Sequence, residues 1–93
     1  MVSHSKKYTV DFSKAGDKAL SKLDAFDKKI LISWIEDKLE GCTDPRRYGK
    51  GLSGERSGQW RYRIGSFRVI ADIQDDKVLV LIIDVGHRKK IYK

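Results

Sequence analysis

Cysteine and histidine are scarce in this chain. Cys42 stands alone, and the two histidines, His4 and His87, lie near opposite ends. A single cysteine permits no internal disulfide, which fits a reducing compartment. Two distant histidines and one thiol supply no metal-ligand cluster, so no metal and no cofactor are expected. Long apolar runs are missing too. The longest, "VLVLII" from Val78 to Ile83, is far too short to span a bilayer, and "MVSHSKKYTV" has no apolar core for a signal peptide. The expectation is a cytoplasmic protein. The glycines do not match a phosphate-binding P-loop, whose Gly-Lys-Ser/Thr ending is absent. Repeats, linkers and low-complexity segments are also absent.

What is abundant is positive charge. The formal net charge is +7, with 20 Lys and Arg against 13 Asp and Glu in 93 residues. A chain this short holds one core, so residues 1–93 are read as a single domain. The balance points to an anionic partner: nucleic acid, an acidic protein or a membrane surface. The bases cluster. Arg46, Arg47, Lys50, Arg56, Arg61, Arg63 and Arg68 fall in one segment whose only acid is Glu55. The ending "GHRKKIYK" adds Arg88, Lys89, Lys90 and Lys93 and contains no acid.

Local patterns set the architecture. "YTVDF" (Tyr8 to Phe12) alternates as a strand does. Ser13 is placed to cap a short helix reaching Leu23, which Gly16 weakens. Asp24 opens a stronger helix to about Glu40, with the stripe Ile30, Leu31, Trp34, Ile35 and Leu39 and Phe26 at its edge. Gly41 stops it. Residues 41–59 hold five glycines and no periodicity, so they read as a long loop anchored by Leu52. Two strands then follow in "GQWRYRIGSFRVIADI", a turn at Asp75-Asp76, and a last strand in "VLVLIIDV". The predicted fold is α+β, β-α-α-β-β-β, with an αα-hairpin on one face of a mainly antiparallel four-stranded sheet.

The hairpin poses a physical problem. Gly65-Ser66 suits a two-residue type II′ turn, and that turn dictates the register. Arg63 then faces Arg68 and Arg61 faces Ile70. Trp60, Tyr62, Ile64, Phe67, Val69, Ala71 and Ile73 share one side, and the three arginines share the other. Like charges directly opposite cost up to about 1 kcal/mol. Either solvent screens them or a polyanion belongs between them, and the guanidinium fork matches phosphate. A two-residue second turn would put Arg68 opposite Ile83, and would place Val85 and His87 on the arginine face. One added residue would reverse that. The odd-numbered Leu79, Leu81 and Ile83 would then form an apolar strip for further core or a partner.

No carboxylate pair is expected on this face, since Asp72 sits among apolar neighbours. What remains is a cationic surface with one or two proton-transfer groups, which suits RNA phosphodiester chemistry. A 2′-OH attacks the adjacent phosphorus, and fixed arginines stabilise the charge that gathers there. Arginine is a poor proton carrier. Histidine titrates in the useful range, which makes His87 a candidate, and a tyrosine among cations ionises more readily, which makes Tyr92 another.

The combination W-R-Y-R-I-G, F-R-V-I and D-V-G-H-R-x-x-I-Y resembles RelE-type toxins of the RelE/ParE superfamily, and the upstream strand and two helices fit as well. The resemblance implies the toxin of a type II toxin–antitoxin pair. It implies a ribosome-dependent, metal-independent endoribonuclease cutting mRNA in the ribosomal A site. It further implies a RelB-like antitoxin that wraps the toxin, with operator DNA bound only by the pair. Arg61 and Arg63 match two basic strand positions of the family's active site, held by lysines in the best-studied members. Arg68 matches the arginine that binds the scissile phosphate. Arg88 matches the arginine after the last strand, and Tyr92 the C-terminal tyrosine that stacks on a base or transfers a proton. Because arginine replaces lysine here, His87 is placed to supply the missing acid–base function. Arg46, Arg47, Lys50, Arg56, Lys89 and Lys90 are expected to contact RNA or the ribosome. Two other readings stay open: a ParE-like inhibitor of DNA gyrase, and a non-catalytic RNA-binding module.

Overall fold

In a computed structural model, which describes residues 6–87, two helices lie on one face of a five-stranded sheet. The elements run β1 (Thr9–Phe12), α1 (Lys14–Ser21), α2 (Ala25–Lys38), β2 (Lys50–Gly51), β3 (Trp60–Ile64), β4 (Phe67–Gln74) and β5 (Leu79–His87). The sheet order is β1-β5-β4-β3-β2. β1 pairs parallel to β5, and every other pairing is antiparallel. The α+β expectation holds. The fifth strand, β2, is the difference. Two residues inside a glycine-rich loop carry no periodicity to read.

Both helix starts follow their capping residues. Ser13 accepts from the Gly16 N–H at 3.0 Å, and Asp24 accepts from the Asp27 N–H at 2.8 Å. α1 lies directly on β5. The Ser13 N–H donates to the Ile82 carbonyl at 2.9 Å, and any Cβ at Gly16 would run into that same carbonyl. Gly16, a poor helix former, is therefore there for close approach. α2 buries Leu31 and Ile35, and Leu39, which caps its C-terminus, is buried with them. Trp34 is half-buried, edge-on to Tyr48 with ring centres 5.7 Å apart. The stripe is narrower than its sequence pattern: Phe26 is 71% and Ile30 41% exposed.

The core lies between those helices and the sheet, where Tyr62, Ile64, Phe67, Val69, Ala71, Val80, Ile82 and Val85 are buried. The first hairpin has the predicted register, with Ile64 opposite Phe67, Arg63 opposite Arg68 and Tyr62 opposite Val69. Gly65 supplies the positive φ of +60° and Ser66 does not share it, as a type II′ turn requires.

The second turn departs from expectation. Asp75–Lys77 form a 3-10 turn and Val78 adopts the left-handed conformation, so Gln74 faces Leu79. The register then slips again between Ile70 and Ala71. Ala71 faces Ile82, but Ile70 faces Asp84, and Ile83 is the extra residue of a β-bulge. Before the bulge Val80 and Ile82 point into the core, and after it Val85 does. Val85 and His87 therefore stand on the helix side, opposite Val69 and Phe67, not on the arginine side. Asp84 and Gly86 take their place, and Arg68 faces Gly86 instead of Ile83. The apolar strip is shortened accordingly to Leu79 and Leu81, half-buried opposite Gln74 and Asp72.

Candidate active site and nucleic-acid interface

β3 and β4 carry the site. Alternation puts Arg61, Arg63 and Arg68 on the face away from the helices, and the tight turn brings Arg63 opposite Arg68. Their environments differ. Arg63 is exposed, Arg61 is half-buried, and Arg68 is only 6% exposed. The Arg61 Nε is shut off from solvent and donates to no acceptor among the described residues. A buried cationic donor left so costs more than a lost hydrogen bond, and an anionic oxygen would satisfy it. Lys50 on β2 faces Arg61 across the edge pair and is itself exposed.

Two hollows flank this cluster. One, of about 280 Å³, lies at the sheet edge and is lined by Lys50, Arg61 and Arg63 together with Trp34 and Tyr48. Cations interleaved with aromatic rings suit a nucleic-acid strand, with charge for phosphates and ring faces for bases. The other, of about 420 Å³, opens beside Arg68. Leu52 and Ile70 are its apolar lining, and Ser53, Glu55, Arg56 and Asp84 its polar lining. Ile70 is 2% exposed yet lies outside the helix-side core. The loop before β3 covers it, held by the Leu52 N–H donating to the Gln59 carbonyl at 3.0 Å. Leu52 anchors that loop as expected. Two carboxylates, Glu55 and Asp84, thus border the arginine face, where none was expected. The bulge that redirects β5 accounts for Asp84, and its charge within "LIID" was the only sequence signal available.

The upstream basic residues are held in a second network. Arg46 grips Asp75 with both guanidinium nitrogens, at 3.0 and 3.1 Å, and the Tyr8 hydroxyl donates to the same carboxylate at 2.7 Å. The Arg46 fork, then Tyr8, hold the Asp75 carboxyl below the usual carboxylate range; the hydrogen bond to Asp75 raises Tyr8. Arg46 therefore ties the loop to the β4–β5 turn, and its charge is already matched. Arg47 lies 6.0 Å from the Tyr48 ring centre. The buried Tyr62 hydroxyl donates to the Pro45 carbonyl at 2.6 Å, and burial pushes its pKa upward. Trp60 Nε1 likewise donates to the Tyr48 carbonyl at 2.6 Å. These two bonds set the height of the loop over the sheet edge. Arg56 donates to the Gln59 side chain at 3.1 Å at the rim of the larger hollow.

His87 does not join the arginines. Its ring packs on Phe67, with centres 4.4 Å apart, on the helix side of the sheet. Arg88, Lys89, Lys90 and Tyr92 lie outside the described residues. Among the described residues no group of acidic, His or Cys side chains could hold a metal ion, and no helix is long and apolar enough to cross a membrane.

The fold and its arginine-bearing sheet face define the class: a small, basic α+β domain. Comparison makes the class specific. Residues 7–92 match the family model of the ParE toxin of type II toxin–antitoxin systems, parDE, and the chain belongs to that family. It is 33% identical over 87 residues to toxin RelG of Mycobacterium tuberculosis, covering 92% of this chain and 97% of RelG. Its fold is similar to a chain of the RelBE2 toxin–antitoxin complex of the same organism, with TM-score 0.80, 30% identity, and 88% and 92% of the two chains covered. It is also similar to the isolated E. coli RelE toxin, with TM-score 0.69, 25% identity, and 91% and 90% covered. The protein is a type II toxin of the RelE/ParE superfamily, and RelB-type antitoxins accompany several of its structural relatives.

Proposed function

We propose that this toxin is a metal-independent endoribonuclease that cuts mRNA in the ribosomal A site and is neutralised by a RelB-like antitoxin. The observation that carries the reading is the arginine face itself: Arg61, Arg63 and Arg68 converge, and the Arg61 Nε is buried with no acceptor among the described residues. A phosphate oxygen fits the Arg61 guanidinium, whose Nε is closed to water.

In the reaction, the 2′ oxygen bonds to the adjacent phosphorus as its proton leaves, and the P–O5′ bond breaks as O5′ gains a proton. Arg68 and Arg61 hold the phosphate oxygens and stabilise the added charge of the phosphorane. Arg63, exposed, adds attraction for the backbone. Proton transfer falls to Tyr92, because arginine holds its own proton too tightly, and Arg88 adds positive charge for the phosphate. His87 has no direct part in this scheme, since it packs on the other face. Lys50, Arg47 and Arg56 extend the cationic track towards RNA and ribosome, while Arg46 shapes the loop.

The test is primer extension on an mRNA with purified toxin, with and without ribosomes programmed on that message. Codon-phased cuts that need ribosomes are expected, lost in Arg68→Ala. No cuts from folded toxin would refute the reading. The family description as a ParE toxin favours one alternative, inhibition of DNA gyrase. A supercoiling assay at stoichiometric toxin distinguishes it.

A further inference from the structure

We propose that the hollow beside Arg68 is a nucleobase subsite, and that Asp84 sets its base preference, guanine first. This rests on the nuclease reading above. The subsite adjoins the phosphate position. Ile70 follows Arg68 by two residues on the same face of β4, a step of roughly 7 Å along the strand. Its volume of about 420 Å³ falls in the usual range for small-ligand sites. The apolar surfaces of Leu52 and Ile70 suit the flat face of a base, and the polar groups stand around them.

Asp84 is the informative group. A carboxylate repels phosphate, so its presence beside an arginine cluster does not serve the RNA backbone. Hydrogen-bond donors are what a carboxylate accepts, and a base edge supplies them. Its Oδ1 accepts the Val85 N–H at 2.9 Å, which orients the group, and Oδ2 accepts from nothing among the described residues. Guanine offers two adjacent donors on its pairing edge, N1–H and the N2 amine. Adenine and cytosine each offer one amine beside an acceptor that a carboxylate repels. Uracil offers one N–H between two carbonyls. Ser53 and Arg56, also lining the hollow, are donors suited to the guanine O6. The bulge at Ile83 is what turns Asp84 to this face.

The test maps cuts on programmed ribosomes across a message of varied codons, with wild-type toxin, Asp84→Asn, and wild-type toxin on a message with inosine replacing guanosine. The expected result is a wild-type preference for guanine over uracil at one fixed position relative to the cut. That preference falls roughly fivefold or more in Asp84→Asn, in line with a lost bidentate base contact. It falls similarly with inosine, which lacks the N2 amine, and that arm requires no variant to fold. If Asp84→Asn slows every cut equally, or if the variant and inosine both leave the base distribution unchanged, the subsite assignment is wrong while the nuclease reading stands. If the wild type makes no ribosome-dependent cut, both fail together.

Discussion

Gly16→Ala sets two physical effects against each other. By helix propensity the change gains about 1 kcal/mol, because alanine replaces the poorest non-proline helix former. By tertiary packing it loses more. The new methyl would collide with the Ile82 carbonyl, and a backbone atom in the middle of a sheet cannot rotate aside. Overpacking of this kind costs about 1–3 kcal/mol or more. Moving α1 outward to relieve it also stretches the Ser13 N–H bond to Ile82, 2.9 Å long, with a net value of about 0.5–1.5 kcal/mol. The expected result is a net destabilisation of about 1–3 kcal/mol. For a domain of this size that lowers Tm by roughly 5–20 °C. Thermal unfolding followed by circular dichroism reads it directly. An unchanged or higher Tm would mean that propensity outweighs packing here, and that α1 is not pressed against β5 as described.

Further predictions concern the loop, the turn and the site. Tyr62→Phe leaves the Pro45 carbonyl without its 2.6 Å partner in a buried place, so urea denaturation should show a loss of about 1–3 kcal/mol. Asp75 is held below its ordinary pKa by Arg46 and Tyr8, so its contribution to stability is complete above the unfolded value, near pH ~3.9, and disappears as pH falls through the lower folded value. The pair is exposed, which limits the effect to about 1 kcal/mol or less. Stability measured from pH 6 down to 2 should therefore fall less in Asp75→Asn than in wild type, and equal slopes would refute the linkage. His87→Ala should retain most of the ribosome-dependent cutting, with a small loss of stability from the Phe67 contact. A loss of cutting as large as that of Arg68→Ala would return His87 to the reaction.

The class of fold, the helix starts and the first hairpin were all legible in the chain because each depends on local rules. Ser13 and Asp24 cap the helices they precede, and Gly65-Ser66 closes a turn that admits one register, so Arg63 had to meet Arg68. The motif at the end of the chain carried the family. The second half of the site was not legible. "VLVLIIDV" is apolar on both faces, so no alternation marks which residues point inward or where a bulge falls. A 3-10 turn followed by one extra residue at Ile83 moved His87 to the helix side and Asp84 to the arginine side. A strand's side chains reverse with every single-residue slip. Only the packing of Val80, Ile82 and Val85 against the helices selects among the possible slips, and that is a tertiary decision. The pairing of Arg46 with Asp75, 29 positions away, is of the same kind. Local sequence placed the cations along the chain, and the folded sheet decided that Arg46 is tied to the β4–β5 turn while Arg61, Arg63 and Arg68 share the face away from the helices.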